Sequence, residues 1–164
     1  MNAETTTLSG LFSGKNLLWI IIAGIAGEII FELIAWLLMP QLIGRPMQPA
    51  LLVMGLAKKL LDIGLTKPAA FSIHLAVGAI LFPICYVLFL AVTKIQSWLV
   101  AGISWGVVLW FIAQGILAPL MGRPFMLGFV PYTWAALGAH IALIVTIAFV
   151  YQRLSPRSAE VRPS

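Results

Sequence analysis

Charge is scarce in this 164-residue chain: Asp, Glu, Lys and Arg together make up 9% of the residues, against 62% hydrophobic. A mean hydropathy of +1.05 leaves too little polar surface to clothe a soluble globule, so that class is excluded. Cysteine is nearly absent. The single one, Cys85, lies inside an apolar run, which excludes an intrachain disulfide and leaves the redox compartment open. Missing too are a nucleophile–base–orienter set, a phosphate loop and a dinucleotide fingerprint, so nothing reads as a soluble-type enzyme. The net charge of +5 is not gathered into a basic face with interleaved aromatics, which excludes nucleic acid as a partner. The basic residues are scattered through loops and tail, where lipid headgroups are their expected neighbours.

What is there is long apolar runs. A crossing takes about 20 residues, so the length accommodates four spans with short connections in a single membrane domain. After a polar segment over 1–16, the first span is predicted over 17–39, ending where Pro40 removes a backbone donor. Lys15 before an apolar run imitates a signal peptide, but the run is too long and no cleavage pattern follows, so it reads as a retained span. Over 50–65 the pattern changes: Leu52, Leu56, Leu60 and Ile63 fall on one side of a helix and Lys58, Lys59 and Asp62 on the other. That is the pattern of an amphipathic helix lying in the membrane interface. Further spans are predicted over 69–92 (kinked near Pro83), 99–119 and 132–151, with Trp98, Tyr132, Trp134 and Tyr151 as interfacial anchors. The segment 153–164 is basic, rich in Ser and Pro, and predicted to be disordered.

The chain repeats itself. Leu38-Met39-Pro40-Gln41-Leu42-Ile43-Gly44-Arg45-Pro46-Met47 is similar to Leu117-Ala118-Pro119-Leu120-Met121-Gly122-Arg123-Pro124-Phe125, and each is followed by a histidine-bearing span. A direct repeat of two spans predicts an all-α membrane protein of two hairpins related by a pseudo-two-fold axis along the membrane normal, plus the interfacial helix. The layout resembles a family of small, uncharacterised bacterial inner-membrane proteins with four spans and paired His-x-x-x-Gly helices. His74-Leu75-Ala76-Val77-Gly78 matches that pattern, whereas His140-Ile141-Ala142-Leu143-Ile144 carries isoleucine in place of the glycine. The resemblance covers nearly the whole chain after residue 16 and implies a bacterial inner-membrane location, without an assigned activity.

At about 1.5 Å per helical residue, His74, His140, Glu32 and Gln114 all fall about 8 to 12 Å below the side that carries the Gly-Arg-Pro connections, and Glu28 lies near the midplane. Ionisable groups in a bilayer cost several kcal/mol unless paired or wet, so one shared polar layer is expected. Gly24, Glu28, Glu32 and Ala35 share a face of the first span. Several chemistries suit such a layer. His74 and His140 could ligate a b-type haem from opposite faces, with Gly78 making room for the macrocycle. Glu32, His74 and His140 could hold a transition metal. Glu28, Glu32 and Gln114 could carry protons or ions alongside the histidines. The layer could equally be structural, fixing helix register in an accessory subunit of a larger respiratory or photosynthetic membrane complex or in a homo-oligomer. That last reading leads. Arg45, Arg123, Lys58 and Lys59 read as lipid or interface contacts. Lys and Arg divide evenly between the two sides, and the basic tail beside the last span places the termini in the cytoplasm.

Overall fold

The computed structural model describes residues 13–155. Among them there is no strand, and four helices are long and apolar enough to cross a membrane. Without water to satisfy exposed backbone groups, a spanning segment must bond internally, and the helix is how a single segment does so. The four are α1 (Gly14–Ile43), α3 (Lys67–Thr93), α4 (Trp98–Leu120) and α5 (Pro131–Leu154), with a shorter α2 (Ala50–Leu61) between the first two. The polar segment and the tail expected at the ends lie largely outside the described residues. The parts that are described differ from expectation: residues 14–16 already belong to α1, and α5 continues to Leu154. Asn16 accepts from the Tyr151 hydroxyl at 3.2 Å, which brings the start of α1 against the end of α5.

Helix α5 packs against α1 and α4, α1 also packs against α3, and the second half of α3 reaches α5 and α4. The contacts are built on small residues, as expected where lipid is as apolar as the protein and association depends on close packing. A side chain at Gly27 would meet Ile147 Cγ1 at 2.6 Å on α5, and one at Gly24 would meet Pro83 Cγ at 2.6 Å on α3. Helix α1 is therefore notched on two sides. On α4, Gly102 and Gly106 let the backbone of α5 approach: added Cβ atoms would lie 3.1 Å from Val145 Cα and 2.8 Å from Ile141 Cα. Outward faces carry large apolar side chains, among them Leu37 (64% exposed) and Leu42 (62%).

Three spans share a device that the sequence reading missed. Met39-Pro40, Phe82-Pro83 and Ala118-Pro119 each follow directly on a π-helical turn, at Ile34–Leu38, Val77–Leu81 and Ile112–Leu117. A proline ring collides with the carbonyl four residues back and offers no donor. The wider turn relieves the collision: Met39, Phe82 and Ala118 donate five residues back, to Ile34, Val77 and Ala113. Pro40 consequently does not stop α1, which runs on to Ile43 and is ended by Gly44 in the left-handed conformation (φ 74°). The next carbonyl in the widened register, Ala35 O, faces a proline that cannot donate. It accepts instead from the Met47 amide at 3.0 Å, as the connection folds back.

Helix α2 ends at Leu61, earlier than expected, with Asp62 left-handed (φ 56°) and bridged to Lys58 at 2.6 Å. Helix α3 begins two residues earlier than expected, because Thr66 caps Ala69 N and Pro68 occupies its first turn. The α1–α3 notch should be intolerant of bulk. Gly24→Leu is expected to lower stability by about 1–3 kcal/mol, whereas Gly138→Ala, where nothing lies within 4 Å, should be neutral or stabilising by up to about 1 kcal/mol. Thermal unfolding in mild detergent reads both.

Candidate functional site

The notch face of α1 continues past Gly24 to Glu28 and Glu32, one helical turn apart, and all three face α3. Opposite them, in antiparallel order, stand Pro83, Gly78 and His74. His74 Nε2 lies 2.9 Å from Glu28 Oε1 and 3.1 Å from Glu32 Oε1. The geometry aligns that ring nitrogen for a hydrogen bond to Glu32, and it lies in close contact with Glu28. Side-chain exposure is 5% for Glu28, 16% for Glu32 and 12% for His74, so the three share little water.

Each carboxylate is held differently. Glu32 Oε2 accepts from the Trp36 indole at 2.6 Å, a partner one turn along its own helix. Glu28 lies against the bare Cα of Gly78, where an added methyl would fall on the carboxylate itself. Neither Glu28 oxygen has a hydrogen-bond donor among the described residues. An ionised carboxylate so placed is costly, because its lost hydration is not replaced. The two glutamates, with Ile25, Leu33, Phe71 and Leu75, line a groove of about 570 Å³ between α1 and α3.

Phe31 packs against both histidines, its ring centroid 5.6 Å from that of His74 and 5.7 Å from that of His140. The two imidazoles are therefore neighbours, but they share an aromatic ring rather than an open slot. His140 Nδ1 donates to Ala136 O at 2.7 Å, which fixes its tautomer. The ligand atoms that lie within 4.8 Å of one another belong to Glu28, Glu32 and His74; compared with the set expected from sequence, Glu28 stands in place of His140. The space beside Gly78, read from sequence as room for a macrocycle, is filled by Glu28. Gln114 is buried in the π turn of α4 with Oε1 unpartnered among the described residues, and no hydrogen bond joins it to the cluster. Arg45 stacks over the Tyr132 ring at 5.6 Å, Arg123 is exposed near the same phenol, and Lys58 and Lys59 are exposed on α2.

Sequence reasoning missed Phe31 and Trp36 as parts of the site. A tryptophan four residues beyond an intramembrane glutamate was a readable signal for the second. The depth estimates put Glu28 well below His74, whereas the packing of α1 on α3 brings His74 Nε2 within 2.9 Å of it.

His74→Ala would leave two facing carboxyl groups without the imidazole between them and should cost about 3–5 kcal/mol, more than His140→Ala, whose hydrogen bond stays within its own helix. Adding Glu28→Gln to His74→Ala should restore part of the loss, a coupling that a double-mutant cycle in detergent measures.

Comparison with protein-family models, with curated proteins and with solved structures finds no match for the chain.

Proposed function

We propose that the chain is a cation-binding integral membrane protein of the bacterial inner membrane, with Glu28, Glu32 and His74 as its binding centre. One observation carries the reading: Glu28 is 4% exposed, and both its oxygens lack a hydrogen-bond donor, directly beside a second carboxylate. Two carboxylates and one imidazole sum to a net charge of −2, or −1 with the imidazole protonated. In a low-dielectric setting that excess calls for a cation.

A second reading, an accessory subunit in which the cluster is only glue, is favoured by the closeness of the α1–α3 contact at Gly24 and Gly78. On either reading we take the chain as a duplicated hairpin. Gly44 and Gly122 share the same left-handed conformation (φ 74° and 81°), and a buried methionine comes directly after the first Gly-Arg-Pro, at Met47, and one residue later after the second, at Met126. We also take α2 as lying in the interface with its lysines toward headgroups, and the termini as cytoplasmic.

Binding to the folded state alone stabilises it by about 2.7 kcal/mol at a hundredfold excess over Kd. In chelator-treated, detergent-solubilised protein, at least one of Na⁺, K⁺, Mg²⁺, Ca²⁺, Mn²⁺ or Zn²⁺ should raise the unfolding temperature, and Glu28→Gln should abolish the rise. If no cation moves the wild-type transition, the cluster is glue and the accessory reading takes its place.

A further inference from the structure

We infer that the centre takes a divalent transition metal, ligated by Glu28, Glu32 and the Nε2 of His74, with an open coordination position. The inference rests on the cation-binding reading above and names the class of ion. Two independent features point to it. The first is spacing. The donor atoms of the three residues all lie within 4.8 Å of one another, and Nε2 stands 2.9 and 3.1 Å from the two nearest carboxylate oxygens. Neighbouring ligands on one metal with bonds of about 2.0–2.2 Å are separated by about 3 Å, so the donors need little movement to close on an ion. The second is the deeply buried Glu28 carboxylate, which sits among these donors without a hydrogen bond of its own.

Charge and donor type then narrow the ion. A divalent cation neutralises two carboxylates around a neutral imidazole, whereas a monovalent one leaves a buried negative charge. Magnesium and calcium favour all-oxygen shells, so an imidazole nitrogen shifts preference toward zinc, iron, cobalt or manganese. Three protein ligands leave a position for an exogenous group, as in metal sites that do chemistry rather than hold a fold. The surroundings fit as well. The Trp36 indole holds the far oxygen of Glu32, an outer partner of the kind that orients metal ligands, and the bare Cα of Gly78 admits the Glu28 carboxylate.

The test uses the full chain in mild detergent, stripped with chelator and titrated with Co²⁺ as a spectroscopic probe, with metal analysis of the same samples. The expected result is one Co²⁺ per chain, with visible d–d bands that Zn²⁺ displaces. Those bands should vanish in Glu28→Gln, Glu32→Gln and His74→Ala and persist in His140→Ala. Should the ligand variants fail to fold, Trp36→Phe keeps all three donors and is expected to weaken Co²⁺ binding about tenfold. Folded wild-type protein that takes up no Co²⁺ overturns the assignment, as does uptake that survives His74→Ala. If Na⁺ or Ca²⁺ stabilises the protein while Co²⁺ gives no bands, the metal class falls and the cation reading stands. If no cation has any effect, both fall.

Discussion

Two carboxylates meeting one imidazole between apolar helices is the contact on which the rest of the arrangement depends. Neither carboxyl group could face lipid without a large cost, so α1 must turn that stripe inward, and α3 must present His74 at the same level. Antiparallel packing then sets the remaining register. With Glu28 and Glu32 flanking His74, Gly78 has to be bare, and Gly24 has to be bare one turn further, where Pro83 presses in. Small residues on the opposite side of α1 admit α5, and those on α4 do the same, so close backbone approach spreads outward from a polar centre.

The prolines belong to the same economy of backbone hydrogen bonds. In hydrocarbon a carbonyl without a donor is expensive, and each of these prolines removes one donor. The π turns shift the hydrogen-bond register, so the helices continue through each proline. Two of them adjoin the centre. Glu32 lies two residues before the turn in α1, and Gly78 lies within the turn of α3. A widened turn rotates the side chains that follow it relative to those before it, so the faces that meet lipid beyond the turn need not continue the polar stripe.

How much of this was legible follows residue by residue. The four spans could be read because twenty apolar residues in a row have few other uses, and the inward stripe of Gly24, Glu28 and Glu32 because helical periodicity places them together. The passage of α1 through Pro40 could not be read, since a proline that ends a helix and one absorbed by a wider turn look alike in sequence. The choice of Glu28 over His140 as the partner of Glu32 and His74 was likewise hidden. It depends on which helices touch, and hydropathy does not report that. Gly102 and Gly106 on α4 were legible as a close-packing pair and were passed over.

The amide of Met47 reaches back to Ala35, inside the widened turn, and thereby staples the chain leading into α2 to the wall of the first span. Three residues earlier in that span is Glu32, and one further on is Trp36, whose indole grips it. Helix α2 is thus joined to the neighbourhood of the buried carboxylate by this hydrogen bond as well as by its packing on α3. Loss of that single bond would free both the connection into α2 and the widened turn that follows Glu32.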